Sequence, residues 1–507
     1  MKFTKHLMPY ALCLTAIASL AGCGGQNGDD KSDGSDPVTI TFWNNYTVDK
    51  DGQRGTSDDA DSQAYWHMVD MIAAFEEANP NIKVETKAYK DYNAIATAVD
   101  SALGDGNTPS MAITYGTYAY NWKKYLVDVT EKGEAMEKDA DILQDYMVAE
   151  KQQYGGSAYY TLPFGKSTEA LMINRDVFEA VGAKQVGGAS GPTSADSKTA
   201  YSHPETFADM MEIARKMKAD YPDVFANQLD SNDLYTACPL IYETAENLFF
   251  TVMESAGIPY AAANDEADKG VLFRNDEAKE AIVQLKKWNN EGLICVKDNL
   301  YYSDKDQKYH AYPSSPFADG KCFMIIATTR GSEWMTSNDY AVEYTELPKW
   351  DASSTLKVTS QGGSVCFFKK SNKAEQDAAI KFYDFLNGTD NLAKLAATTD
   401  YCPIRASSYQ SEEIKASVKA YNDGITASST SDQKKKAYFG NVLALSESYA
   451  QKNASFMSPV NKYSSDLRKA VKALIVNVFQ DKTAKTDDEI KKLVKDEFDT
   501  AYNSVVK

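Results

Sequence analysis

Hydrophobic and polar positions alternate first at Val38 to Trp43, where VTITFW predicts a strand that breaks at Asn44-Asn45-Tyr46. Tyr65, Met68, Val69, Ile72 and Phe75 then recur at helical spacing, and Asn79-Pro80 stops that helix. Ile82 to Ala88 predicts a second strand. Asp91 is placed to cap a helix whose apolar stripe is Tyr92, Ile95, Ala96, Val99 and Leu103, ending at Gly104. Met111 to Tyr115 predicts a third strand. This strand, helix, strand, helix, strand order argues for a parallel α/β sheet, with ligands expected at the carboxyl ends of its strands.

The pattern changes between Tyr160 and Gly182. Tyr160 to Phe164 is extended, because Pro163 removes a backbone donor and restricts Leu162, and Gly165 permits a turn. After the polar Lys166, Ser167, Thr168 and Glu169, the run Ala170 to Ile173 suits a buried strand, and Asp176 to Val181 predicts a short helix stopped by Gly182. Gln185 to Tyr201 is rich in Ser, Gly and Ala and predicts a surface insertion. Helical stripes follow at Phe207, Met210, Met211, Ala214 and Met217, and at Ala278, Ala281, Ile282, Leu285 and Trp288, the second capped by Asp276. Gly362-Gly363-Ser364 leads into a strand, Val365 to Phe368, and a helix carrying Ala378, Phe382, Phe385 and Leu386. The carboxyl third is helical, with stripes at Leu467, Ala470, Val471, Leu474 and Val478, then at Ile490, Val494, Phe498, Ala501 and Val505. Thr486 and Glu489 form a capping box for the last. These last helices are read as packing helices without chemistry.

The amino terminus adds a location. Lys2 and Lys5 precede an apolar run, Leu7 to Leu20, too short to span a bilayer and placed where a secretory signal belongs. It ends in Leu20-Ala21-Gly22-Cys23, which resembles a bacterial lipobox and implies lipidation of Cys23. Gly24 to Pro37 has the composition of a flexible acidic tether. The chain is expected at the extracytoplasmic face of the cell membrane, lipid-anchored.

With 507 residues and 43% hydrophobic content, two domains are the expectation. The formal charge of -18, about -20 without Lys2 and Lys5, disfavours nucleic acid and anionic membrane surfaces as partners. Of seven cysteines, five follow Cys23 and none forms a CxxC pair, so buried free thiols are expected rather than disulfides or zinc. Asp49 to Asp61 has the look of a calcium loop, but Arg54 stands where an EF-hand needs glycine and Ala60 where it needs glutamate. A solvated acidic loop is the expectation, with an irregular calcium site left open. No metal or cofactor is assigned. Tyr160 to Ser167 ends like a phosphate loop yet lacks the first glycine, and Gly362 to Cys366 lacks the last glycine of a nucleophile elbow. Four histidines and no HExxH argue against an enzyme. A glycosidase carboxylate pair leaves no local signature, so a secreted glycoside hydrolase stays as an alternative, beside a surface adhesin.

Several stretches resemble family 1 extracellular solute-binding proteins, which serve ABC importers of sugars and glycerol-3-phosphate. LPFGKST followed by ALMINRDVFEAVG is similar to the family's PFxSST and LYYNKDxFxxxG segment. FEEANPNIKV resembles FExxNPxIKV, FADGKCFMII resembles FxxGKxAM, and TTDYCPIRASSY resembles TGYxPxR, with Asp400 where glycine is usual. The resemblance implies a two-lobe, type II periplasmic-binding-protein-like α/β fold, with a ligand cleft between lobes joined by crossing strands. Residues 1–22 are then the signal and 23–37 the tether; 38–162 with 330–387 form lobe 1, and 163–329 with 388–507 form lobe 2. The FADGKCFMII strand is expected to return the chain to the first lobe.

By matching motifs, the resemblance implies ligand contacts from Tyr92, Ser167, Gly363 and Tyr401, with Thr168 beside them. Trp43, at the end of the first strand, is a candidate stacking platform or a core tryptophan. Tyr115 and Trp334 are further rings for sugar faces, and Ser332 and Gly362 further polar and backbone contacts. The glutamate that glycerol-3-phosphate binders carry after the third strand falls near Gly116. The expected function is an importer's receptor for a carbohydrate, an oligosaccharide, working as a monomer with an ABC permease and its cytoplasmic ATPase. A glycerol-3-phosphate or glycerophosphodiester receptor of the same family is the alternative. Whether Lys166 meets an anionic ligand stays open.

Overall fold

The computed structural model describes residues 37–47, 60–181, 189–190, 202–301, 314–335, 340–399, 401–424 and 429–507. Cys23, its signal, residues 24–36 of the tether, residues 49–59 of the acidic loop and nearly all of the Ser-rich insertion lie outside the described residues.

Strand β1 (Val38–Asn44), helix α1 (Ala60–Ala78), β2 (Ile82–Ala88), α2 (Tyr92–Asp105) and β3 (Met111–Thr114) follow the predicted alternation. β1 lies between β2 and β3 and is parallel to both, with Val38 beside Ile82 and Trp43 beside Ala112. The Asp91 carboxylate accepts from the Ala94 N–H at 2.8 Å, capping α2 as its position implies. That helix runs past Gly104 to a left-handed Gly106, whose N–H bonds Ala102. After α3 (Gly116–Trp122) and α4 (Gln144–Gln152), β4 (Leu162–Ser167) joins the same sheet.

The chain then crosses to a second sheet within one residue. β5 (Glu169–Asn174) begins after Thr168 and is buried along its whole length. Helices α5 (Phe207–Asp220), α6 (Ala245–Ala256) and α7 (Asp276–Asn290) accompany β6 (Leu240–Tyr242), β7 (Ile294–Val296), β8 (Met324–Thr328) and β9 (Val342–Thr345). The second sheet has the order β9-β5-β8-β6-β7. β8 pairs with β5 and β6, so FADGKCFMII stays in the second sheet instead of returning the chain to the first. The return comes with β10 (Gln361–Phe367), antiparallel between β3 and β4, completing the order β2-β1-β3-β10-β4. α7 is capped by Asn275 rather than Asp276, since only the residue outside the first turn can reach the Ala278 N–H, at 2.8 Å.

α8 (Lys373–Leu386) and α9 (Thr389–Thr399) follow, and Phe382 and Leu395 enter the core of the first sheet. α10 (Ser431–Gln451), α11 (Ser464–Gln480) and α12 (Asp487–Val505) end the chain, the last with the Thr486–Glu489 capping box. Leu467, Val471, Leu474, Ile490, Val494 and Phe498 join the core of the second sheet. The five cysteines of the described chain are buried free thiols. No helix among the described residues is long and apolar enough to cross a membrane.

The crossings between the sheets are tied together. Thr168 Oγ1 donates to the Thr359 carbonyl at 3.1 Å, and the Thr168 carbonyl accepts from the Thr329 N–H at 2.7 Å. Val358–Thr359 pairs in parallel with Ser455–Phe456 in a two-stranded ribbon beside them.

Candidate functional site

A cleft of about 490 Å³ opens where these elements meet. Asn93, Tyr115, Thr117, Tyr118 and Gln153 line it from the first sheet's side. Glu246, Asn247, Ser465, Arg468, Lys469 and Lys472 line it from the second, and Thr359, Ser360 and Gln361 close it at the crossing. β3 ends at Thr114, so its carboxyl end and the first turn of α3 face the cleft, as expected for an open α/β sheet. On the other side, α6 contributes its first turn and α11 the face Ser465, Arg468, Lys469 and Lys472. Those positions are i, i+3, i+4 and i+7, one side of a helix whose opposite side is core.

Two polar atoms of the cleft wall have no hydrogen-bond partner among the described residues. They are Ser360 Oγ, in a residue only 7% exposed, and Glu246 Oε2. A buried polar atom without a partner costs on the order of 1–3 kcal/mol, so these two atoms are poised to bond whatever enters.

The sequence-predicted residues divide into two groups. Tyr92 and Tyr115 lie ring to ring with centroids 4.4 Å apart, and Tyr115, 37% exposed, forms part of the cleft wall. Tyr401 neighbours Tyr92, and its ring meets Tyr46 edge-on at 6.3 Å. Burial, then the neighbouring Tyr401, holds the Tyr92 phenol well above its ordinary pKa, so Tyr92 is neutral. A Cβ on Gly363 would overlap Ile113 and touch the Tyr92 ring, which is why β10 carries glycine there. Arg330, from the turn after β8, lies 5.1 Å over the Tyr401 ring, bringing the second sheet's side to this cluster.

The others, Trp334 apart, sit in the frame. Trp43 packs on Tyr89 at 5.4 Å, with Lys87 5.5 Å over its ring, outside the cleft lining. Ser167 is buried at the end of β4, and the Thr168 hydroxyl is engaged at the crossing. Gly362 adopts φ 83°, and a Cβ there would overlap the Gly165 carbonyl. Gly165 itself, at φ 54°, bends β4 from within rather than making a separate turn. Ser332 is buried, its carbonyl accepting from Tyr344 at 2.8 Å. Trp334 closes the 3-10 turn Thr329–Trp334, and its side chain lies outside the described residues.

Lys166 does not face the cleft. It is fully buried, 3.2 Å from Glu150 and 2.7 Å from Ser364 Oγ, and Ser364 in turn donates to Glu150 at 2.8 Å. Thr161 and Gln153 also donate to Glu150, so every polar end in this knot is satisfied. Gly116 lies against Gln153, whose amide fills the space that a side chain at 116 would need.

Sequence reasoning missed the second wall. Glu169 accepts from Tyr242 at 2.7 Å and from Asn247 at 2.8 Å, and Arg468 donates to Asn247 Oδ1 at 2.6 Å. Burial raises the Glu169 carboxyl to about 7 against the pull of those bonds. The polar flank of α11 was the available signal, but charges opposite an apolar stripe are ordinarily just a solvated face.

Residues 70–422 match the family model described as bacterial extracellular solute-binding protein. Among solved structures, the chain is similar to the cyclic alpha-maltosyl-1,6-maltose binding protein of Arthrobacter globiformis, with TM-score 0.61 and 11% identity. That match covers 92% of this chain and 99% of the other. The sugar-binding protein MalE of Xanthomonas citri matches at TM-score 0.61 and 15% identity, covering 92% and 97%. UgpB of Mycobacterium tuberculosis, in complex with glycerophosphocholine, matches at 0.57 and 12%, covering 94% and 100%. No curated protein matches the sequence. At these identities the likeness to solved structures is one of fold, the two-lobe fold of these binding proteins.

Proposed function

The chain belongs to the family of bacterial extracellular solute-binding proteins, and from that membership we propose that it is the receptor of an ABC importer for a carbohydrate, an oligosaccharide. The solute binds between lobes built on the two sheets, is released unchanged to the permease, and no bond is made or broken. The observation that carries this reading is the cleft itself. Both sheets' sides line it with hydroxyls, amides and tyrosine rings, and Ser360 Oγ and Glu246 Oε2 reach it without partners among the described residues. Hydroxyl-rich solutes offer the donors and acceptors these atoms lack, and a sugar's C–H face fits a ring such as Tyr115.

Tyr115, with Tyr92, Tyr401 and Gly363 behind it, forms the proposed aromatic wall. Ser167, Thr168, Gly362, Ser332 and Trp43 are assigned to its support, and Trp334 stays a candidate ring for a sugar face. Closure is a population shift: solute held by one wall favours the form in which the other wall also touches it. A lipid on Cys23 keeps the monomer at the extracytoplasmic face, and loss of lipid labelling in Cys23→Ala tests that anchor. Glycerol-3-phosphate is the weaker reading, because Gln153 takes the space where its binders carry glutamate.

Thermal unfolding of the protein truncated after Cys23, with mono- and oligosaccharides, glycerol-3-phosphate and amino acids, tests the reading. A ligand at a hundredfold its dissociation constant adds about 2.7 kcal/mol to the folded state. A rise in midpoint with saccharides is expected; a rise with amino acids alone refutes the carbohydrate assignment.

A further inference from the structure

We infer that the α11 wall of the cleft seats an oxyanion, a carboxylate, sulfate or phosphate carried by the solute, with Arg468 and Lys472 as the residues that select for it; this deepens the carbohydrate reading and rests on it.

The chain as a whole carries a formal charge of -18, yet the charged residues of the cleft wall are Arg468, Lys469, Lys472 and a single carboxylate, Glu246. All three cations project from one face of α11 within its first three turns. The amino-terminal N–H groups of that 17-residue helix receive no side-chain cap, so its positive end adds to theirs.

Each cation is held by one carboxylate and keeps part of its side chain exposed. Arg468 donates through Nη2 to Asn247, its Nε lies 3.5 Å from Glu246, and its guanidinium lies 5.5 Å over Phe250. Asn247 is itself fixed by Glu169, and Glu169 by Tyr242, so a relay of buried bonds runs from the sheet crossing to the guanidinium. The side chain nevertheless remains 46% exposed, and a guanidinium has five N–H donors in a rigid fork. Lys472 is steadied by Asp298 at 2.8 Å with 43% of its side chain exposed. Among the described residues, Lys469 is paired only with the exposed Asp466, at 3.5 Å, a contact of little energy. Three carboxylates, one to each cation, balance the formal charge, but the exposed N–H donors of the cations and the partnerless hydroxyl of Ser360 stay open to the cleft. A neutral sugar's hydroxyls can accept from the fixed cations but bring no opposite charge to them. An oxyanion gains charge-assisted hydrogen bonds, about twice as strong as neutral ones.

The test is isothermal titration calorimetry of the protein truncated after Cys23. The probes are a neutral trisaccharide, the uronic trisaccharide of the same linkage, its sulfated form, and glycerol-3-phosphate with glycerophosphocholine, each at low and at physiological salt. The expected result is at least tenfold tighter binding of an oxyanion-bearing probe than of its neutral counterpart. That advantage shrinks with salt and is lost in Arg468→Gln and in Lys472→Gln, whereas Lys472→Arg keeps it. Unchanged melting temperatures in the variants separate lost recognition from lost folding. Acidic saccharide or glycerophosphate as the tighter ligand supports the seat alike, and the second alone refutes the carbohydrate reading while leaving the seat standing. Neutral saccharide bound equally well overturns the seat and leaves the carbohydrate reading intact. Binding of no probe overturns both.

Discussion

At the scale of single residues, the same polar types serve opposite ends. Lys166 and Arg468 are both cations near the crossing, but Lys166 is fully enclosed with Glu150 and Ser364, whereas Arg468 keeps almost half its side chain open to the cleft. A buried pair contributes little net stability when intact but is costly to break, because the remaining partner keeps a desolvated charge. Lys166→Met is therefore expected to destabilise the protein by about 3–5 kcal/mol in urea unfolding. The affinity of the refolded fraction should hardly change, since Lys166 does not line the cleft. An affinity loss of tenfold or more with normal stability would instead make Lys166 a ligand contact. Nothing in the sequence separates these two roles: Gly-Lys-Ser-Thr fixes neighbours along the chain, while Glu150 comes from α4. Tyrosines pose the same difficulty. With 32 in the chain, only the motif around each singled out Tyr92 and Tyr401, and their packing with Tyr115 depends on three separate elements.

At the scale of elements, periodicity served where a helix has one wet face. The stripes of α5, α7, α11 and α12 are the buried faces of those helices, and β1, β2 and β3 begin and end within a residue of their patterns. α6 escaped because it is buried on nearly every side, Leu248, Phe249, Val252 and Met253 among them, and shows no stripe to read. The FADGKCFMII strand misled for a different reason: an apolar run states that a strand is buried, but not in which sheet. Helix α6 is tied to β5 by the Asn247–Glu169 bond, and that tie titrates. Glu169 is raised from 4.5 to about 7 in the folded protein, chiefly by burial, so the folded state binds more protons than the unfolded one between those values. Its contribution to stability is complete below about pH 4.5 and is lost as pH rises through about 7. Replacing it by Gln should flatten that part of the melting temperature profile relative to the wild type. Parallel profiles for the two proteins between pH 4.5 and 7 would contradict the assignment.

At the scale of the whole molecule, two sheets joined by crossings at Thr168 and Thr359 enclose one cleft whose walls come from opposite sides. The order of motifs made that architecture legible in the sequence, since each marks a landmark along the same winding path. The chemistry of the second wall was not legible, because Arg468 lies 221 residues from Asn247 along the chain and meets the Glu246–Asn247 pair only through folding. The measurement that tests the account most directly is calorimetric titration of wild type and Tyr115→Ala with the saccharide giving the largest thermal shift. One saturable site is expected in the wild type, with no chemical change in the recovered ligand and binding about tenfold or more weaker in the variant. Equal affinity in the two proteins would contradict the placement of the ligand in this cleft.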